Sequence, residues 1–317
     1  MVNDITIVNL VTNASIDMHR GSGSYVLDEI DWDSPAVSFS SYRVPFQVGS
    51  NLSGVTVETR KPTIIGYVIA DLSGADVLGM TIEQYYRYQM EQIEQSKSYL
   101  NKLVSIYQDV EIRVDGYYLR GRPTMPVKYS IEEEENNEVL CMFEMEIECF
   151  DPMFSADSKT VYLASASPMF HFPMVSTEQK GDLYSVFGEI VRRRSMEVTN
   201  DGDSETGCEI KVFALGGIED PRVYNVNTGE YIEFEGVTLS TGDTLTISTV
   251  SGEERAVHHI ASSGVDRSVV GNIANGSTFF TIAPGTGLYA YEVPEGQENN
   301  VEISISFTEK YFNLVGM

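Results

Sequence analysis

Basic side chains are scarce in this chain. Its 317 residues carry 21 Lys and Arg against 47 Asp and Glu, a formal net charge of -26 at pH 7. Such a surface repels phosphate backbones and anionic membranes within a Debye length of about 8–10 Å, which excludes sequence-specific nucleic-acid binding and lipid adsorption as primary functions. Cysteine is equally sparse: Cys141, Cys149 and Cys208 form neither a CxxC pair nor an even framework. That excludes a disulfide scaffold or zinc site and predicts small buried hydrophobes in a chain made in a reducing cytoplasm. Histidine occurs four times, as His19, His171, His258 and His259. The adjacent pair would face opposite ways on a strand and so cannot share a metal. Long apolar runs are missing too. Nothing approaches the roughly 20 residues of a membrane span, and MVNDITIVNLV lacks the basic start and apolar core of an export signal.

Catalytic motifs are likewise absent. Gly21-Ser22-Gly23-Ser24 has glycine where a G-x-S-x-G elbow needs its nucleophile, and there is no P-loop or strand-GxGxxG-helix unit. Asp201-Gly202-Asp203-Ser204-Glu205 offers oxygens at alternate positions, like the start of a calcium loop. Thr206 stands where the sharp-turn glycine belongs and Val212 where a closing glutamate belongs, so the segment is expected to be an acidic hairpin turn. The expectation is a non-enzyme without metal or cofactor.

Hydrophobic residues make up 42% of the chain and aromatics 10%, enough to fill two cores. Short β-type runs occupy the first eighty residues: ITIVNLV, SYVLDEIDW, AVSFSSYRV, GVTVETR and TIIGYVIA. One long helix is predicted over about 81–104. Thr81 and Gln84 form its capping box, Met80 is placed to staple against Tyr85, and Ile82, Tyr85, Tyr86, Met90, Ile93, Leu100, Leu103 and Val104 supply an apolar stripe. The opposite face, with Glu83, Arg87, Glu91, Gln95 and Lys102, is expected in solvent.

Asp109 to Phe154 is the most informative segment. Val110, Ile112 and Val114 alternate with polar residues, Asp115-Gly116 supplies two positions of positive φ, and Tyr117 and Leu119 resume the apolar face. This predicts a hairpin with a primed turn. After the acidic turn Glu132 to Glu135, the residues Val139, Cys141, Phe143, Met145, Ile147 and Cys149 share a face opposite Glu144, Glu146 and Glu148. A strict period of two predicts a half-buried strand. Carboxylates on one face invite a glycosidase reading, but three in a row beside an acidic turn fit better a face turned to solvent, a neighbour or a lumen.

SADSKTVYLASASPMFHFPM is expected to be an extended connector, with the domain boundary near Ala166 and domains of 1–165 and 166–317. Eight runs follow, at 209–215, 222–226, 231–234, 244–250, 256–260, 278–282, 289–293 and 301–307. Turn residues separate them, at Asn227-Thr228-Gly229, Thr241-Gly242-Asp243, Ser251-Gly252 and Gly285-Thr286-Gly287, which predicts a sandwich or jelly roll. Arg192, Arg193 and Arg194 form the one dense basic cluster, suited to bidentate pairing with an acidic neighbour.

Asp109 to Phe154, together with ETRKPTIIGYVIA at Glu58 to Ala70 and SYLNKLV at Ser98 to Val104, resembles the phage tail component family that includes siphophage distal tail proteins. The likeness covers Tyr25 to Phe154 well and the rest in outline, and the chain lacks the early proline-glycine-arginine loop of many relatives. The resemblance implies a mainly β chain: an α+β, ring-forming N-terminal domain with one long helix, then a galectin-like β-sandwich. It also implies a hexameric ring in the virion between tail tube and tail tip, with the tail tube protein, the tail-tip hub and receptor-binding or adaptor proteins as partners. In such a ring an acidic lumen would let DNA slide without sticking. The alternative is a carbohydrate-binding sandwich using Tyr224, Tyr231, Tyr289 and Tyr291, since Trp32, the only tryptophan, lies in the other domain.

Overall fold

A computed structural model describes residues 4–44, 46, 48–71, 79–132, 136–137, 139–168, 188–192, 195–250 and 256–314, with the backbone alone for 164–168 and 188–192. The chain divides into two compact units, Met1–Ala156 with Tyr311–Met317, and Asp157–Lys310.

The first unit contains β1 (Asp4–Asn9), β2 (Ser15–His19), β3 (Tyr25–Asp31), β4 (Val37–Tyr42), β5 (Asn51–Val57), β6 (Thr63–Ile69), α1 (Ile82–Leu103), β7 (Val110–Val114), β8 (Tyr117–Pro123), β9 (Lys128–Tyr129) and β10 (Leu140–Glu148). Seven of these strands pair in a closed circuit, β1-β2-β3-β6-β10-β8-β7 and back to β1. The result is a small barrel without free edges on those strands. Alternation decides what fills it. Ile5, Ile7, Met18, Leu27, Ile64, Val68, Ile112, Leu119, Phe143, Met145 and Ile147 are buried together in one core. Gly66 and Gly121 stand where the filling is tightest. A Cβ at Gly66 would meet Val26 O at 2.5 Å and Phe143 Cζ at 2.9 Å, so a side chain there displaces the barrel's largest inward ring. The expected hairpin is present, with Asp115 at φ 47° and Gly116 at φ 83° turning β7 into β8.

Helix α1 has the expected capping box, Thr81 accepting from Gln84 N while the Gln84 side chain accepts from Thr81 N. Its predicted stripe is only half used. Ile93, Leu100, Leu103 and Val104 join the barrel core, whereas Ile82, Tyr86 and Met90 are exposed and Gln89 is buried in their stead. Hydrogen bonds from Tyr25 to Ser96 O, Tyr129 to Lys97 O and Asn9 to Leu103 O anchor the C-terminal half of the helix, which is the half that is buried. Among the described residues, strands β4 and β5 pair only with each other.

Strand β11 (Phe154–Pro168) carries the chain onward. Ser155 and Ala156 pair with β8 and later residues pair with the last strand, so the expected connector is an ordered strand as far as Pro168. Val161 and Leu163 explain this, since both pack into the second core. The boundary accordingly falls after Ala156 instead of near Ala166.

The second unit adds β12 (Gly188–Arg192), β13 (Ser195–Asn200), β14 (Cys208–Ala214), β15 (Ile218–Glu219), β16 (Arg222–Asn225), β17 (Tyr231–Glu233), β18 (Thr238–Leu239), β19 (Thr244–Ser248), β20 (Val257–Ile260), β21 (Asp266–Ser268), β22 (Gly285–Glu292) and β23 (Val301–Tyr311). One sheet runs β21-β20-β19-β14-β23-β11, with β12 on β11, and a second runs β13-β22-β16-β17. Their inner faces share a core that includes Ile210, Val212, Ile247, Ile303 and Ile305 from one sheet and Val198, Val223, Ile232 and Tyr289 from the other. This is the expected sandwich. Two details differ from expectation. Residues 278–282 form no strand, only a bridge between Ile282 and Thr206. Gly285-Thr286-Gly287 lies inside β22, because the Tyr289 ring would come within 2.9 Å of a Cβ at Gly287.

Candidate assembly surfaces

Strand β10 sorts its side chains as its period requires. Cys141, Phe143, Met145 and Ile147 are buried in the barrel while Glu144, Glu146 and Glu148 lie half-exposed outside it. None of the three carboxylates stands alone. Glu144 takes Lys128 Nζ at 3.4 Å, Glu146 accepts from Thr124 Oγ1 at 2.8 Å, and Glu148 accepts from Thr59 Oγ1 at 2.9 Å with Lys61 Nζ at 3.4 Å. Cross-strand pairing also sets Glu144 opposite Ile65 and Glu146 opposite Thr63. Each carboxylate thus has its own neighbour.

A basic counterpart lies on β7 and β8. Arg113 and Arg120 straddle the buried Glu111 at 2.6 and 2.7 Å, and Arg122 pairs with Asp109 at 2.8 Å. Burial raises the pKa of Glu111, but the hydrogen bonds from Arg120 and Arg113 outweigh it and the net shift is downward. These ion pairs fix three guanidinium groups in place on an otherwise acidic chain.

Arg60, within the ETRKP run, is a structural pin that no motif announced. It is 1% exposed. Its Nε donates to Pro152 O at 2.7 Å, Nη1 to Asp33 O at 3.2 Å and Trp32 O at 3.4 Å, and Nη2 to Phe312 O. The guanidinium carbon also lies 4.7 Å from the centroid of the Phe154 ring. One side chain thereby ties the end of β3, the entry to β11 and the returning C-terminal segment into the first unit. The signal was available only as an arginine between two β runs.

In the second unit, Asp243 is buried and accepts from Ser240 N at 3.0 Å, Ser262 N at 2.9 Å and His259 Nε2 at 3.0 Å. Arg267 Nη2 donates to His259 Nδ1 at 3.0 Å, which leaves Nε2 to carry the proton toward Asp243. Burial pushes the Asp243 carboxyl up, and the backbone donors of Ser240 and Ser262 with His259 more than reverse that, holding it at about 2. The cluster stitches two turns together. His258 sits on the other strand face with Asp266, as adjacency dictated.

The four tyrosines suggested for sugar binding do not form a platform. Tyr289 and Tyr291 are buried in the sandwich, and Arg222 stacks on both Tyr231 and Tyr224, at 4.3 and 5.4 Å from the ring centroids. Alternation on β22 buried the first pair and a local cation covered the second. Of the arginine cluster, Arg192 ends β12 with its side chain undescribed, and Arg193 and Arg194 lie outside the described residues, as does Glu133 to Glu135 of the acidic turn. Cys141, Cys149 and Cys208 are all buried, and burial pushes Cys149 up to about 12. Among the described residues no three His, Cys, Asp or Glu side chains are placed to hold a metal, and no helix is long and apolar enough to cross a membrane.

Residues 201–311 match the model of the siphovirus-type tail component, C-terminal domain. No curated protein matches the chain. Among solved structures, SPP1 Dit, described as a paradigm of hub adsorption apparatus in phages infecting Gram-positive bacteria, is 11% identical. It covers 96% of this chain and 98% of its own at a TM-score of 0.60. A chain of the phage P2 baseplate in its activated conformation with Ca is 10% identical, with 99% and 100% covered and a TM-score of 0.49. Residues 201–311, most of the sandwich, thus resemble the siphovirus-type tail component domain, and the fold over nearly the full length of the chain is similar to that of SPP1 Dit.

Proposed function

We propose that this protein is a structural component of a phage tail tip, acting in the virion as a hexameric ring that joins the tail tube to the tail-tip hub and receptor-binding or adaptor proteins. The observation that carries this reading is the match of residues 201–311 to the tail component domain. Its physical content is mechanical. A closed barrel with a filled interior resists shear, because every strand in the circuit is hydrogen-bonded on both sides. The role involves no bond made or broken, so it asks for surfaces and not for a nucleophile. Glu144, Glu146 and Glu148, with the fixed guanidinium groups of Arg113, Arg120 and Arg122, supply contacts of opposite sign for neighbouring subunits. Arg192, Arg193 and Arg194 are assigned to an acidic neighbour at the entrance to the sandwich, and a chain of net charge -26 lining a conduit would let DNA pass unheld.

Mass photometry and negative-stain microscopy of the purified full chain test the reading, with closed six-membered rings as the expected result. A chain that stays monomeric at micromolar concentration, alone and mixed with its tail tube protein, overturns it. Reversing Arg193 to Glu is expected to weaken assembly with no loss of monomer stability, and unchanged particles would remove the cluster from the interface.

A further inference from the structure

The β4–β5 ribbon is an unusual object for a soluble protein. It is an isolated pair of strands, and every residue of β4 is exposed. Two-stranded ribbons are marginal in water unless one face is covered. This one has a face to cover. Cross-strand register places Val37 opposite Val57 and Phe39 opposite Val55, while Ser38 and Ser40 oppose Thr56 and Gly54 on the other side. The register then shifts by one residue, and Leu52 comes opposite Ser41, on the same side as Phe39 and Val55. A bulge therefore extends the apolar face instead of letting it break at Ser53. Phe39 is 67% exposed, and Val37, Leu52 and Val55 are exposed as well. Charge is nearly absent: residues 37–57 of this strongly acidic chain contain one charged side chain, Arg43, which is exposed.

The same unit carries a second uncovered surface of complementary kind. Ile82, Tyr86 and Met90 follow one another at i, i+4 and i+8 on the first turns of α1, and Ile82 is 76% exposed. Tyr86 and Met90 form the floor of an open apolar groove of about 490 Å³, bordered by Glu83, Glu91 and Glu94 and by Arg87. Glu94 is ion-paired with Lys97 at 3.1 Å, and Glu83 and Glu91 against Arg87 leave the rim net negative.

We propose that the apolar face of the β4–β5 ribbon of one copy docks on the Ile82-Tyr86-Met90 ridge of α1 in the next copy, with Arg43 set against the rim of Glu83, Glu91 and Glu94. This rests on the ring reading above and names its interface. A second copy is the occupant these surfaces favour. Both halves of the contact lie on this chain, both are apolar at the centre, and the lone cation of the ribbon meets an anionic rim. The two patches are different, so the contact is head-to-tail, and a head-to-tail contact repeats until a ring closes.

The geometry permits a test by mixing. A ribbon variant, Phe39→Asp with Val55→Asp, and a ridge variant, Tyr86→Asp with Met90→Asp, change exposed residues only, and circular dichroism checks that each stays folded. Mass photometry is expected to find each variant monomeric, with the ring population at least tenfold below wild type. Their equimolar mixture keeps one intact junction per pair and is expected to stop at dimers. In a Phe39→Cys, Met90→Cys double variant, a bismaleimide is expected to build a covalent ladder, since the native cysteines are buried. Wild-type rings with both Asp variants still forming rings would overturn this interface while leaving the ring itself standing. Rings lost in the ribbon variant but kept in the ridge variant would also overturn it, by showing that ribbons meet ribbons or another surface. A monomeric wild type with no ladder from the double variant would sink the ring reading together with this one.

Discussion

Replacing Arg60 with Met keeps the stem of the side chain and removes its guanidinium, which makes it a clean measure of what the buried fork contributes. Two of its bonds, to Pro152 O at 2.7 Å and to Phe312 O, are short and charge-assisted, and each contributes about 1.5–2 kcal/mol net. The bonds to Asp33 O at 3.2 Å and Trp32 O at 3.4 Å are long and together add about 1 kcal/mol. Met returns about 1–2 kcal/mol, by packing against Phe154 and by sparing the cost of desolvating a cation. The expected loss is about 3 kcal/mol. Arg60→Lys should lose about 2 kcal/mol, since an ammonium reaches fewer carbonyls than a planar fork. Urea denaturation followed by tryptophan fluorescence is the assay. Trp32 is the only tryptophan, lies in the first unit, and packs edge-on against Phe154 at 5.3 Å, so its signal reports this unit. A loss under about 1 kcal/mol with an unchanged urea slope would refute the pin, and would mean that water satisfies the four carbonyls as well as arginine does.

Three other outcomes are expected. Gly66→Ala should destabilise the barrel by at least about 2 kcal/mol, because its Cβ meets backbone at 2.5 Å, and thermal unfolding within 1 °C of wild type would contradict that packing. Asp243→Asn should cost the sandwich about 2–3 kcal/mol in chemical denaturation, since it disturbs three hydrogen bonds to a buried carboxylate at once; a neutral result would show the turns hold without it. Asp243 also sets an acid limit. Its folded pKa, about 2, is below the ordinary 3.8, so its contribution is fully present above pH 4 and is lost as pH falls toward 2; melting of the Asp243→Asn variant should depend less on pH over that window than wild type does.

Much of this fold was legible because a period of two is unambiguous when a sheet has one wet face. Cys141 to Ile147 on β10 and the Asp115-Gly116 turn follow directly from alternation and from the need for positive φ. Alternation failed where a different constraint ruled. Gly285-Thr286-Gly287 has turn composition but lies in a strand, because a tyrosine two residues on needs the space of a missing side chain. The segment after Phe154 has linker composition but is a strand, because Val161 and Leu163 have a core to enter. Arg60 was invisible for a related reason: its partners are carbonyl oxygens of Trp32, Asp33, Pro152 and Phe312, and backbone acceptors leave no residue-type signature.

The surfaces follow the same logic one level up. An apolar residue at helical spacing says that something covers it, and it does not say whether the cover belongs to the same chain. On α1 the stripe is continuous in sequence, yet Ile93, Leu100 and Leu103 enter this molecule's core while Ile82, Tyr86 and Met90 do not. On β4 and β5 the alternation is that of a half-buried sheet, with Val37, Phe39, Val55 and Leu52 on one side and Ser38, Ser40 and Thr56 on the other, but among the described residues no layer buries the apolar side. A sequence pattern records every burial the protein undergoes, intramolecular and intermolecular alike. Where the pattern demands a cover and the described residues supply none, the difference marks the surfaces that the proposed assembly would cover.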